Sequence, residues 1–300
     1  MSIFHILLPV ALVALVGLAW LGLNAAIRRS LRAPRVRSAS NPADHGLAYT
    51  GQRIPTENGK YLNSWWLPPT NENAATIIVV HGWGGNAAMM LPIAPPLHGA
   101  GFALLFIESR CHGASDDDSF SSMPRFAEDI DAAFAWLKRQ PGIDPNRIAV
   151  LGHSVGASAA LLAASRGPGI AAVASIAAFE HPESIMRRFL AAKRVPFIPF
   201  GWYVLRYVQQ VIGYRFDTIA SINTIRQVRC PVLLVHGLDD TTVPASDAEH
   251  IHANAQPGIS RLLLVPGDHD SYGELPARMD DLIAFLRNAM PDAVPPAPTF

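Results

Sequence analysis

Three short stretches of this sequence carry the residue types of nucleophilic acyl chemistry. Gly152-His153-Ser154-Val155-Gly156 has the form G-x-S-x-G, in which a serine hydroxyl can attack an electrophilic carbon once a base removes its proton. His236-Gly237-Leu238-Asp239-Asp240-Thr241-Thr242-Val243-Pro244 supplies two neighbouring acids, and Pro266-Gly267-Asp268-His269 supplies a histidine. Histidine is the side chain suited to take and return a proton near neutral pH, and a carboxylate can hold its ring in one tautomer and stabilise the cation. Each stretch also has a plainer reading. Ser154 can cap a helix; Asp239 competes with Asp240; Asp268 and Asp270, adjacent to His269 in a loop, read as solvated because such neighbours rarely reach the far nitrogen of the ring.

The elements that position these residues follow from hydrophobic periodicity. Ala48–Arg53 and Lys60–Leu67 read as two short strands, followed by strand candidates Thr76–His81, Ala103–Ile107, Arg147–Leu151, Ile170–Ile176, Pro231–His236 and Arg261–Val265. Helical spacing falls between them, over Ala87–Ala100, Pro124–Gln140, Val155–Ser165, Asp247–Ala255 and Pro276–Asn288. Pro124 suits a first helical turn, with Ser121 or Ser122 as cap. Short, continuously apolar strands alternating with amphipathic helices predict an α/β fold with a doubly wound, mostly parallel sheet covered on both faces. In such a sheet chemistry gathers at the loops after the carboxyl ends of strands. Ser154, the Asp239-Asp240 pair and His269 each follow a strand, in the order serine, acid, histidine. The glycines of G-x-S-x-G fit a strained strand-to-helix turn that lifts the serine hydroxyl outward.

Composition narrows the alternatives. Of 300 residues, 50% are hydrophobic and 16% charged, and 24 Lys+Arg cancel 24 Asp+Glu, which argues against a disordered acidic chain or a basic nucleic-acid binder. Cys111 and Cys230 lie far apart without metal-ligand spacing and read as free thiols, suited to a reducing compartment. The neutrality is uneven. Arg28, Arg29, Arg32, Arg35 and Arg37 precede the first acid, Asp44, and without those five the remainder carries 19 − 24 = −5.

Before the arginines, Ile6–Leu23 is apolar for 18 residues, a helix of about 27 Å, close to a bilayer core. A cleaved signal peptide is the alternative, but no Lys or Arg precedes the run and Leu23-Asn24-Ala25-Ala26 is a poor cleavage site. Residues 1–27 are therefore expected to be an uncleaved single-pass anchor with Trp20 at the headgroup level. Its positive flank predicts the N-terminus outside and the body in the cytoplasm. Residues 28–47 read as an Arg-rich linker that also attracts anionic lipid, 48–290 as the catalytic body, and 291–300 as a flexible tail.

Joint motifs sharpen this reading. His81-Gly82-Trp83-Gly84-Gly85, Glu108-Ser109-Arg110-Cys111-His112-Gly113-Ala114-Ser115, the Ser154 pentapeptide and His236 to Pro244 occur in order. On these residues the chain resembles the α/β-hydrolase superfamily and, within it, bacterial membrane-anchored serine-peptidase-like esterases, over roughly Ala48 to Asn288. The resemblance implies Ser154 as nucleophile, His269 as base and, from the pattern H-G-x-x-D-x-x-V-P, Asp240 as the acid. It implies backbone N–H groups of Trp83 and Val155 as an oxyanion hole, with no metal or organic cofactor. His81, His112 and His236 could converge on a metal, but in the family such positions support loops. His153 is expected to pack within its loop, and Asp116-Asp117-Asp118 to be a solvated loop rather than a calcium cluster. Glu108 and Cys111 depart from the family's D-x-R-G-H-G-x-S, leaving that loop's geometry open, and Ala157 stands where a second glycine often occurs.

The interval between strands Ile170–Ile176 and Pro231–His236 is too long for a simple crossover, so about Glu180 to Val228 is expected to form an inserted cap. Phe189, Phe197, Phe200, Trp202, Tyr203, Tyr207, Tyr214 and Phe216 lie within 28 residues of it, and Ser184 to Phe216 holds six bases and no acid. Such a cap can line an acyl pocket and dip into an anionic leaflet; alternatively its aromatics only pack on the core and its arginines face water. The resulting expectation is a membrane-anchored serine hydrolase of small-molecule esters or acyl compounds. A peptidase or amidase using the same residues, and a non-catalytic ligand-binding member of the fold, are the alternatives.

Overall fold

The computed structural model describes residues 4–37, 40–69, 74–167, 169–270 and 278–291. The expected C-terminal tail, from 292 onward, lies outside them, as do Pro276 and Ala277 at the start of the last expected helix. Eight strands form one sheet in the order β1-β2-β4-β3-β5-β6-β7-β8. They are β1 Thr50–Thr56, β2 Lys60–Leu67, β3 Thr76–Val80, β4 Ala103–Ile107, β5 Ile148–His153, β6 Ala172–Ile176, β7 Val232–Gly237 and β8 Ser260–Val265. β1 and β2 are antiparallel, β2 runs antiparallel to β4, and every later pairing is parallel. Strands β3 to β7 are buried along their whole length, which is why they read as apolar runs rather than alternating patterns.

The helices are α1 Phe4–Ser30, α2 Ala94–Gly99, α3 Met123–Leu137, α4 Val155–Ser165, α5 Pro182–Ala192, α6 Trp202–Ile212, α7 Phe216–Ile219, α8 Ser221–Thr224, α9 Ala245–Ala253 and α10 Met279–Ala289. One apolar layer joins α3 and α4 to the sheet, and the other joins α2 and α10 to its opposite face. Pro124 sits in the first turn of α3, whose cap is Ser122. The helix expected over Ala87–Ala100 is instead a 3₁₀ segment, Ala87–Ile93, followed by the short α2. Pro92, Pro95 and Pro96 remove the amide donors a continuous α-helix needs. β1 lies further along than expected because its register with β2 places Ile54 opposite Leu62, both fully buried. Pro55 is tolerated because β1 is an edge strand.

The long interval after β6 is a helical insertion containing α5, a π-helical turn at Phe197–Gly201, α6, α7 and α8. α1 is long and apolar enough to cross a membrane and is mostly unburied. Its last turns dock on the insertion: Tyr203 Oη lies 2.6 Å from Asn24 Oδ1, and Arg28 Nε donates to Tyr207 Oη at 2.7 Å. Ile27 joins the core at their foot.

Register, more than any one contact, assembles the working edge of the sheet. Val80 is level with both Gly152 and Ile107, so the loops after β3, β4 and β5 emerge side by side. Gly237 is level with Val265, which does the same for the loops after β7 and β8. The loop after β4 is fastened by Arg110, whose side chain is 1% exposed and donates to Asp129 at 2.7 Å, Glu128 at 2.6 Å and Asp118 at 3.3 Å. Removing one member of a buried ion network leaves the others desolvated and unpaired. Arg110→Ala should therefore cost about 3–5 kcal/mol, read as a fall in the unfolding midpoint of the detergent-solubilised chain; a loss below about 1 kcal/mol, the value of an exposed pair, would contradict this role.

Candidate active site

β5 ends at His153 and α4 begins at Val155, so the chain turns from strand to helix across Ser154 alone. Ser154 adopts φ +52° and ψ −114°, a conformation costing of order 1–3 kcal/mol for a side-chain-bearing residue. The turn fits because its neighbours lack side chains. A Cβ on Gly152 would collide with the Gly156 carbonyl, and one on Gly156 would lie 2.5 Å from His81 O. Ser154 N donates to Ile176 O at 2.8 Å, pinning the turn to β6. The serine side chain makes no capping bond to α4.

Its hydroxyl instead faces a histidine. Ser154 Oγ lies 3.0 Å from His269 Nε2, and His269 Nδ1 lies 2.7 Å from Asp240 Oδ2. The other Asp240 oxygen accepts from the backbone N–H of Thr242 at 2.8 Å and of Val243 at 2.7 Å. Burial opposes the Asp240 charge, but hydrogen bonds from His236, His269 and Val243 outweigh it and hold the carboxyl well below the usual carboxylate range. Asp239 faces elsewhere and ties the two loops together, accepting from Gly267 N at 3.3 Å while its own N–H donates to Gly267 O at 2.9 Å. The structure thus brings Ser154, His269 and Asp240 into one hydrogen-bonded chain, with Asp239 outside it.

The remaining histidines brace loops. His153 Nε2 donates to the His269 carbonyl at 2.9 Å, and burial together with the nearby His269 pushes its pKa down to about 3. His81 accepts from Ser109 N through Nε2 at 3.2 Å and donates to Gly82 O through Nδ1 at 2.7 Å; burial lowers it to about 3. His236 Nε2 donates to Val243 O at 2.8 Å, and His112 Nδ1 to Arg110 O at 3.0 Å. Burial keeps His81, His112 and His153 neutral, and all four rings serve as props. Among the described residues, His153, His269 and Asp270 form a group able to ligate a metal. The His269 nitrogens already face Ser154 and Asp240, so a cation would have to break that chain.

Trp83 and Val155 flank Ser154. Val155 opens α4, where a helix N–H has no partner within its own helix. Trp83 and Gly84 are the central residues of a turn closed by Gly85 N to Gly82 O at 3.1 Å. Gly84 has φ +71°, whereas Trp83 is absent from the left-handed region, giving the type II form that favours glycine at the third position. A Cβ on Gly82 would lie 3.2 Å from Ser154 Cβ, so the turn sits directly against the serine.

Departures in the neighbouring loop are accommodated. Cys111 takes φ +68°, as a glycine would. The Glu108 carboxylate accepts from Ala114 N at 2.7 Å, Asn63 Nδ2 at 3.0 Å and Ala87 N at 3.4 Å. The acidic run is only in part the solvated loop expected from sequence: Asp117 is 83% exposed, whereas Asp118 is almost buried, and all three are paired. Asp116 pairs with Arg53 at 2.7 Å, Asp117 with Arg35 at 2.6 Å, and Asp118 with Arg110 and Arg125 at 3.3 Å. Two arginines from distant segments, one from the same loop and one from α3 converge there, which local sequence does not reveal.

The segment read as a linker also lies on the body. Leu31 O accepts from Ser121 N at 2.8 Å, Arg35 Nη1 donates to Gly113 O and Ser115 O at 2.8 Å, and Asn86 Nδ2 donates to Val36 O at 3.1 Å. Sequence gave no periodic signal there because the contacts are carbonyls and one guanidinium, not an apolar stripe. A cavity of about 280 Å³ lined by Glu57, Phe120, Arg125, Glu128 and Tyr214 contains none of the predicted site residues.

Comparison with known proteins places this arrangement among relatives. A family model described as "Serine aminopeptidase, S33" matches residues 71–212. The uncharacterised protein Rv2307c of Mycobacterium tuberculosis is 31% identical over 216 residues, 71% of this chain and 69% of that one. YfhR of Escherichia coli, also uncharacterised, is 26% identical over 246 residues, 78% and 79% of the two chains. In structure, the Pyrococcus furiosus esterase Pf2001 aligns with a TM-score of 0.70 at 22% identity, over 86% of this chain and 99% of that one. Est1E of Butyrivibrio proteoclasticus, solved with ferulic acid bound, aligns at 0.64 and 19%, over 80% and 100%.

The packing of the Ser154 turn yields a direct test. Gly156→Ala forces the start of α4 away from His81 O and should cost about 1–3 kcal/mol, as overpacking does, in thermal unfolding. Unchanged stability would mean that the turn does not depend on this close approach.

Proposed function

Because the chain belongs to the α/β-hydrolase superfamily, in the family described as serine aminopeptidase S33, we propose that it is a membrane-anchored serine hydrolase that cleaves carboxylic esters through an acyl-enzyme. The observation that carries this reading is the continuous chain of hydrogen bonds from Ser154 Oγ through His269 to Asp240. In the first half-reaction Ser154 Oγ bonds to the ester carbonyl carbon while His269 Nε2 takes the hydroxyl proton. Asp240, held anionic, keeps the proton on Nδ1 and offsets the imidazolium charge. The carbonyl oxygen, now negative, accepts from the Trp83 and Val155 N–H groups, each such donor contributing about 2.7–4 kcal/mol to the barrier. Collapse breaks the carbon–oxygen bond, and the leaving alkoxide receives the proton from His269. Water then repeats the sequence on the acyl-serine and releases the acid.

The substrate is proposed to be an apolar ester in or beside the membrane. Ile198 is 79% exposed, and Phe189, Phe200 and Trp202 are each more than half exposed, on the cap beside the docked end of α1. Exposed Lys193, Arg194 and Arg206 accompany them, whereas Arg188 is tied to Asp247 at 2.8 Å and Tyr203 and Phe216 pack inward. The cap aromatics therefore divide between the two readings its composition allowed. The arginine flank of α1 favours a cytoplasmic body. Peptidase or amidase activity is a second reading, supported by the family's description and by Asp270, whose carboxylate lies within 4.8 Å of the His153 and His269 nitrogens and could receive a substrate ammonium.

Three outcomes are expected. A fluorophosphonate probe should label the wild-type chain and not Ser154→Ala, and Asp240→Asn should slow ester hydrolysis about 10⁴-fold. A folded wild-type chain that resists the probe would favour the ligand-binding alternative, and faster cleavage of aminoacyl amides than of graded-length esters would favour the peptidase. Replacing Ile198, Phe200 and Trp202 by serine should lower turnover of long-chain esters presented in anionic vesicles, with soluble short-chain esters unaffected. Equal losses on both would remove the cap from the lipid reading.

A further inference from the structure

Residues 31–37 lie across the two loops that border the proposed oxyanion hole, and their contacts are specific. Arg35 bridges three acceptors on one turn: Gly113 O and Ser115 O through Nη1, each at 2.8 Å, and Asp117 Oδ1 through Nη2 at 2.6 Å. Two residues of the same strand of chain reach the turn that carries Trp83. Pro34 lies over Gly84, where an added Cβ would come within 3.0 Å of its Cγ, and the Val36 carbonyl accepts from Asn86 Nδ2 at 3.1 Å. Behind them the two loops are joined to each other, since Glu108 accepts from both Ala114 N and Ala87 N, and His112 stacks edge-on against Trp83 with ring centroids 5.8 Å apart.

We propose that Arg35 is a positioning residue for ester hydrolysis: by clamping the Gly113–Asp117 turn it sets the segment Ala33–Arg37 against Gly84 and Asn86, and so fixes the direction of the Trp83 N–H. The inference rests on the hydrolase reading above and adds that the segment leading from α1 is part of the active-site frame. The Gly82–Gly85 turn is closed by one backbone hydrogen bond and braced by His81 at Gly82 O, while beyond Trp83 both Gly84 and Asn86 are met from this segment. A misdirected donor acts on the developing oxyanion and not on the ground-state ester, so its loss appears in kcat and not in KM. A planar guanidinium can serve three acceptors in fixed geometry, whereas an ammonium serves them as a point charge.

The test compares wild-type, Arg35→Ala, Arg35→Lys and Arg37→Ala full-length chains in the same detergent, with active sites counted by fluorophosphonate titration. Arg35→Ala should lower kcat per titrated site about 10–100-fold, the scale of a displaced catalytic group, with KM within twofold. Its affinity for a trifluoromethyl ketone, which mimics the tetrahedral intermediate, should fall in proportion. Arg35→Lys should recover part of the loss, and Arg37→Ala, at an exposed position of the same segment, should match wild type. If Arg35→Ala is recovered only in part as folded protein, titration restricts the comparison to intact sites, and Arg35→Lys provides the second reading. Equal kcat per site and equal inhibitor affinity in Arg35→Ala and wild type would overturn the proposal while leaving the hydrolase reading standing. Failure of the wild type to be titrated at all would instead overturn the hydrolase reading.

Discussion

A strand that becomes a helix across one residue constrains everything around it. At Ser154 the backbone sits in a region that L-residues avoid, and the strain is held by a hydrogen bond to Ile176 O and by close contact: Gly156 against the Val80 and His81 carbonyls, Gly152 against Gly156, Gly82 against Ser154 itself. Such contact requires α4 to approach the sheet closely. Its sequence, VGASAALLAAS, is built for this, with Gly156 through Ala164 buried without interruption. Ala157, where a glycine often stands, has room because the close contact falls on Gly156. Packing of small residues, which buries less apolar area per residue than a leucine core, here sets geometry before it sets stability.

Polar groups at the edge of the sheet obey a second rule: each ring has one tautomer because its neighbours leave no choice. Ser109 N must be accepted by His81 Nε2, so the proton lies on Nδ1 and points to Gly82 O. Burial lowers the pKa of His81 and His153 to about 3, so neither competes for a proton near neutrality. Asp240 remains charged because two backbone N–H groups and two histidines surround it. His269 is thereby the ring whose Nε2 faces the serine hydroxyl.

Legibility in the sequence followed from how local each cause was. β5 and α4 were readable because an apolar run, two glycines and an alanine-rich helix are consecutive, and the α/β class followed from the repetition of such runs. The 3₁₀ segment at Ala87–Ile93 was missed because helical spacing hides prolines that matter only through absent donors. Ser154, Asp240 and His269 could be nominated by strand order, but the separation of Asp240 from Asp239 lies in the turn that points one carboxylate to His269 and the other to Gly267. The pairing of Asp116 and Asp117 with Arg53 and Arg35 was beyond reach for the same reason: partners 63 and 82 residues apart meet only after the sheet has formed.

The arginine collar illustrates how one sequence feature can serve two masters. A run of basic residues after an apolar helix reads as lipid-facing, yet Arg28 is turned to Tyr207 and Arg35 to the Gly113–Asp117 turn. Within residues 31–37, Leu31, Arg35 and Val36 are each attached to the surface of the body. Residues 31–37 of the segment read as a linker are thus seated on the body. With α1 read as the anchor, the clasp of Asn24 to Tyr203 then places the start of α6 at the level where the apolar helix ends. The exposed Trp202 opens α6 and the exposed Phe200 lies two residues before it, so the contact that seats the end of α1 on the body also sets where these side chains stand relative to it.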